Sequence, residues 1–81
     1  MQKLTDEQRI SGIIARVVKT SVDSVLDAKN LKEDIDMDSL HEVEIVMEIE
    51  KEFDTTIPDE DYGGFTTLKQ FINLLEPIRP F

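Results

Sequence analysis

The sequence contains no cysteine. Disulfides, thiolate metal sites and a cysteine nucleophile are therefore excluded, and the redox compartment cannot be read. Any thioester chemistry would need a thiol supplied by a cofactor. No stretch approaches the roughly 18 consecutive apolar residues of a membrane span. The N-terminal region carries Asp6 and Glu7 and lacks the apolar core of a signal peptide. These features lead to the expectation of a soluble chain without membrane insertion. The cytoplasm is the expected compartment, with an organellar stroma or matrix left open. Strand-like alternation is also missing. Positive charge is scarce: nine Lys and Arg stand against eighteen Asp and Glu, for a net charge of −9. The deficit is local, because residues 31–61 hold two lysines against thirteen carboxylates while both flanks are slightly basic. Such a surface repels phosphates, so nucleic-acid binding is excluded. A basic protein surface is the natural partner, steered in at long range. A plain solvated acidic face is the other reading of the same charge run.

What is present suits one domain, 1–81, with a single small core. Thr5-Asp6-Glu7-Gln8 matches a capping box, and Ile10, Ile13, Ile14, Val17 and Val18 follow at helical spacing. A first helix is expected at about 6–19, and Gly12 inside it leaves room for a close helix contact. Residues 20–37 lose the helical spacing and are rich in turn and cap formers. They read as a long connecting loop. Asp38 then suits an N-cap and Ser39 a first helical position, starting a helix at about 39–53. On a wheel of about 100° per residue, this helix has two apolar faces. Ile45, Val46, Ile49 and Phe53 form a core stripe. Leu40, Val43 and Met47 lie nearly opposite, with Glu44 and Lys51 among them. So small a protein cannot surround a helix completely, so the second stripe reads as an exposed, partner-binding one. Pro58 and the acids after it suggest a short helix at 58–62, stopped by Gly63-Gly64. Thr67-Leu68-Lys69-Gln70 is another capping box, opening a last helix at 67–76 that Pro77 ends. The tail Pro77–Phe81 reads as extended. The expected fold is all-α: a four-helix bundle with three main helices, one short helix and a long loop between helices one and two.

Ser39 admits three chemistries. As a nucleophile it needs a base within reach, but the one histidine, His41, points about 160° away on the wheel. No G-x-S-x-G elbow surrounds it. As part of a metal loop, Asp34-Ile35-Asp36-Met37-Asp38 opens like an EF-hand, yet Ser39 and Ile45 stand where that loop needs Gly and Glu. No specific metal site is expected, and only weak ion binding through charge density remains. As a modified residue, a first-turn hydroxyl is exposed, and free backbone N–H groups nearby can receive a phosphate. Asp38 could help to position a metal-bound phosphate donor. Residue physics alone permits this third reading without compelling it.

Asp38-Ser39-Leu40, the run Val43–Asp54 that ends Glu52-Phe53-Asp54, and Ile57-Pro58-Asp59-Glu60 together resemble the acyl carrier proteins of dissociated (type II) fatty acid synthesis. The similarity spans about Leu31 to Leu75. It implies that Ser39 carries 4′-phosphopantetheine through a phosphodiester, with Asp38 assisting attachment. It also implies that the pantetheine thiol holds acyl groups as thioesters, which would suit a chain without cysteine. Such a protein is a carrier, not an enzyme, and is expected to be a monomer. Its implied partners are a phosphopantetheinyl transferase and the basic surfaces of acyl-handling enzymes, met through Leu40, Val43, Glu44, Met47 and Glu50. Acyl chains would lie on the apolar inner faces of the helices.

The chain also departs from that family. Ile35-Asp36 replaces the usual Leu-Gly, and Met37 precedes Asp38. His41 and Lys51 stand where acids are common, and Gly63-Gly64 where helix formers are. Phe65 and Phe71 add bulk near the expected acyl space. A carrier for polyketide, aminoacyl or other acyl groups would share the serine and the fold. The reading from another class is a small acidic adaptor or divalent-ion binder without a prosthetic group.

Overall fold

A computed structural model describes residues 5–75, which form five α-helices and one 3₁₀ turn, with no strand among the described residues. Helix α1 runs Asp6–Val18. Thr5 and Gln8 close the expected capping box: the Thr5 hydroxyl accepts the Gln8 N–H at 3.1 Å, and Gln8 Oε1 accepts the Thr5 N–H at 2.9 Å. Ile10, Ile13 and Ile14 are buried, and Val17 and Val18 pack at the margin of the core. Lys19 ends the helix in the left-handed conformation, with φ of 67°. Gly12 leaves room for a close helix contact, but among the described residues a Cβ built there meets no atom within 4 Å beyond its chain neighbours and its own helix backbone.

The segment between Val18 and Ser39 corrects the expectation of a long irregular loop. It contains α2, Val22–Asp27, and α3, Leu31–Asp34. Of the turn formers in this segment, Ser21 and Asn30 cap these helices, while Asp23 and Ser24 lie inside α2. The Ser21 hydroxyl accepts the Ser24 N–H, and Asn30 Oδ1 accepts from the N–H groups of Lys32 and Glu33. Each helix sinks one anchor into the core, Val25 for α2 and Leu31 for α3, both fully buried. Helices of six and four residues are too short to show a periodic stripe, so tertiary burial holds them.

Helix α4 spans Ser39–Glu52. The short helix expected at 58–62 is a 3₁₀ turn at Asp59–Asp61, with Pro58 extended before it as its cap. Helix α5 is Leu68–Asn73, opened by the Thr67–Gln70 capping box. Beyond it, the Leu74 and Leu75 N–H groups donate to the carbonyls of Phe71 and Ile72. The end of the helix expected to reach 76, its termination by Pro77 and the Pro77–Phe81 tail lie outside the described residues.

Helix α1 packs against α2, α4 and α5. Two ion pairs show that α1 and α4 run antiparallel: Arg9 meets Glu52 at 2.9 Å, and Arg16, further along α1, meets Glu48 earlier in α4, also at 2.9 Å. Arg9 does more than pair. It donates to the Glu52 carbonyl at the open end of α4, and its guanidinium lies 4.2 Å from the Phe53 ring centroid. Phe71 of α5 is fully buried among Ile10, Ile14, Ile45 and Ile49 in one cluster. Truncating such a ring to Ala costs about 3–5 kcal/mol, a large share of the roughly 5–15 kcal/mol that holds a native domain together.

Candidate functional site

The start of α4 is built by the residues before it. Met37 is buried and its N–H donates to the Leu31 carbonyl at 3.2 Å, pinning the chain to α3. Asp36 makes the turn with φ of 57°. This is the left-handed region that favours glycine, and Asp is one of the few side chains that tolerate it. The position that lacks the usual glycine thus keeps a glycine-like backbone. Asp38 is then the N-cap. Its Oδ1 accepts the His41 N–H at 2.8 Å, and His41 Nδ1 accepts the Asp38 N–H at 3.2 Å. His41 therefore fills the third slot of a capping box, a role that sequence spacing did not suggest.

These bonds leave Ser39 out. It occupies the first helical position, is exposed, and its hydroxyl is not needed by the cap. A bulky phosphodiester could be joined there without displacing core or cap. The opening of α4 thus fits a covalently attached group.

Along α4, the two faces separate as the wheel predicts. Ile45, Val46 and Ile49 are buried, while Leu40, Val43 and Met47 are 72%, 42% and 52% exposed. Glu44 is exposed among them. A groove of about 190 Å³ lined by Arg16, Val17, Glu44, Met47 and Glu48 borders this stripe where α1 passes α4. Glu50 differs from the other expected docking residues. It is half-buried, and its Oε2 accepts the Ile57 N–H at 2.7 Å, so one oxygen serves the chain's own loop.

Glu42 is the site residue that the sequence reading missed. It is 4% exposed, and its carboxylate accepts the Gly64 N–H at 3.3 Å and the Phe65 N–H at 2.7 Å. A signal existed: Glu42 precedes Ile45 by three and Val46 by four, placing a carboxylate on the core stripe. Glu42 and Glu50 hold the segment 57–65 by its two ends, eight residues apart on α4, or about 12 Å along the axis. Beside α5 lies an open cleft of about 480 Å³ lined by Asp61, Phe65, Gln70, Asn73 and Leu74. Of the two rings expected to crowd the acyl space, Phe65 lines this cleft. Phe71 is buried in the core and meets Phe65 edge to face at 5.0 Å.

Two of the three aspartates that open like an EF-hand are engaged separately. Asp34 accepts from the N–H groups of Lys29 and Asn30, at 2.8 and 3.2 Å, and Asp38 caps α4. The Asn30 and Lys29 amides hold the Asp34 carboxyl below the ordinary carboxylate range. Among the described residues, no three His, Cys, Asp or Glu side chains converge to hold a metal ion. Burial, followed by the charge and hydrogen bond of Asp59, pushes the Tyr62 phenol up.

The fold and this opening define a small helical domain that offers an exposed hydroxyl at the start of its longest helix. The family model described as a phosphopantetheine attachment site matches residues 8–75, and the chain belongs to that family. It is therefore a carrier protein, bearing a covalently attached 4′-phosphopantetheine prosthetic group. Carriers of this kind are modified by a phosphopantetheinyl transferase and deliver acyl groups to acyl-handling enzymes without being catalysts themselves.

Proposed function

We propose that Ser39 is the attachment residue and that the chain carries acyl intermediates of dissociated fatty acid synthesis as thioesters. The observation that carries this reading is the exposed Ser39 hydroxyl at the first position of α4, beside a cap that does not use it. The bound group supplies a thiol on a long flexible arm. The residues of the chain do the rest. Met37 and Asp38 fix the start of the helix, so that the hydroxyl is presented in one direction. Leu40, Val43 and Met47 offer apolar contact, and Glu44 adds charge for a basic enzyme surface. Glu50 contributes from the edge of that surface, with one oxygen held by Ile57. The fatty acid assignment is supported by the run from Asp38-Ser39-Leu40 through Glu52-Phe53-Asp54 to Ile57-Pro58-Asp59-Glu60.

The test is intact-mass measurement after incubation with coenzyme A and a phosphopantetheinyl transferase. The wild-type chain should gain one phosphopantetheine and Ser39→Ala none, with both unfolding at the same temperature. A mass gain on Ser39→Ala would move the attachment elsewhere. The acyl group recovered on protein purified from its own cell then decides the cargo, and an aminoacyl or polyketide intermediate would overturn the fatty acid assignment.

A further inference from the structure

Residues 64–67 present four consecutive backbone N–H groups, and two side chains take all four. Glu42 of α4 accepts from Gly64 and Phe65. Gln70 of α5 accepts from Thr66 at 2.7 Å and Thr67 at 3.0 Å. The Thr66 carbonyl in turn accepts the Leu31 N–H at 2.7 Å. The loop is tied to three helices, and Glu42 is the tie that needs explaining. A carboxylate is costly to bury. An apolar side chain at 42 would simply extend the Ile45, Val46 and Ile49 stripe. Packing therefore does not account for a glutamate here, whereas two backbone donors turned toward it do. Gly63 and Gly64, with φ of 139° and 68°, supply the turn that aims those donors inward.

Fixing the Phe65 backbone limits where its ring can lie. That ring rests on the edge-to-face contact with Phe71 and forms a wall of the cleft beside α5. Glu42 lies one turn beyond Ser39, on the same side of α4. One helix thus bears the hydroxyl and also holds the wall. We propose that Glu42 is a positioning residue for cargo: by clamping Phe65 it sets how well the cleft shelters an apolar acyl chain, and so which chain lengths the protein protects. This rests on the carrier reading above. The clamp discriminates because a medium-length chain gains shelter from an apolar wall, while a two-carbon acyl group has almost no apolar surface to bury.

Glu42→Gln and Glu42→Leu in the full chain test it. Gln keeps one carbonyl oxygen for Phe65 and cannot serve Gly64 as well. Leu keeps the bulk on the core stripe and loses both bonds. In unmodified protein, hydrogen exchange at the Gly64 and Phe65 amides should accelerate by about tenfold or more for Leu, with Gln between, while the Ile13 and Ile14 amides stay unchanged. On the holo-protein, hydroxylamine cleavage of an octanoyl thioester should speed up several-fold in the same order, and cleavage of an acetyl thioester should not. Unchanged amide exchange would overturn the clamp. Faster exchange with unchanged octanoyl cleavage would overturn its role in sheltering cargo. Equal acceleration of acetyl and octanoyl cleavage would show general loosening and overturn chain-length discrimination. A wild-type chain that never accepts phosphopantetheine would overturn the carrier reading and the cargo role together, while the exchange measurement still decides the clamp.

Discussion

Replacing Asp38 by Asn and by Ala should separate two roles of one carboxylate. As a cap, its Oδ1 accepts the His41 N–H at 2.8 Å. As a helper in attachment, it would use its charge. The side chain is 62% exposed, so neither a cavity nor a buried charge enters the cost of changing it. Asn accepts the same N–H through its amide oxygen and ranks level with Asp as a cap, so it loses only the charge–dipole part, about 0.3 kcal/mol at such exposure. Ala leaves the His41 N–H to water and costs about 1 kcal/mol. In a domain of this size that lowers Tm by roughly 4–8 °C. Thermal unfolding followed by circular dichroism reads the cap. A time course of intact mass with transferase and coenzyme A reads the charge. Asn should unfold close to wild type yet be modified slowly, and Ala should be impaired in both. An Asn variant modified at the wild-type rate would remove the carboxylate from the transfer. An Ala variant with unchanged Tm would remove the cap from the stability of α4.

Gly12→Ala should stabilise the protein by about 0.5–1 kcal/mol, because it lies inside α1 and its added methyl meets nothing within 4 Å; a lower Tm would reveal a contact the structure does not show. Glu44→Lys should slow modification and acyl transfer, most of all at low salt, with the difference from wild type shrinking as salt is added; rates indifferent to both charge and salt would eliminate docking through that face. Tyr62 is the sole tyrosine and should ionise above the ordinary tyrosine range, as followed by phenolate absorbance. Folding raises its hold on the proton, so its contribution to stability is present below the ordinary tyrosine value and is lost as pH rises through the shifted one. Asp59→Asn should remove part of that shift and leave the part due to burial; an ordinary titration in the wild type would contradict the packing of the ring.

Some features were legible because they depend only on near neighbours. The Thr5–Gln8 and Thr67–Gln70 capping boxes join residues three apart, and both formed as read. The two faces of α4 follow from helical geometry, and Leu40, Val43 and Met47 are exposed while Ile45, Val46 and Ile49 are not. Other features lay beyond that range. Helices α2 and α3 exist because Val25 and Leu31 find the core, which no short window reveals. Asp36 adopts a glycine-like φ because the chain must turn between α3 and the cap at Asp38. Gly12 leaves room for a close contact that the described residues do not make.

The carboxylates of α4 divide the same way. By itself, the sequence determined where the long helix begins, that Ser39 opens it, and that acids and exposed apolar groups share one side, since caps and stripes need partners no more than about four residues away. Only the tertiary structure decided which acids are free to meet a partner and which hold the protein together. Glu42 and Glu50 look like their neighbours in sequence, yet they accept from Gly64, Phe65 and Ile57. The physical reason is that a polar group taken out of water, such as the buried Glu42 carboxylate, must be satisfied by whatever partner folding brings to it, and here the chain loops back to reach both.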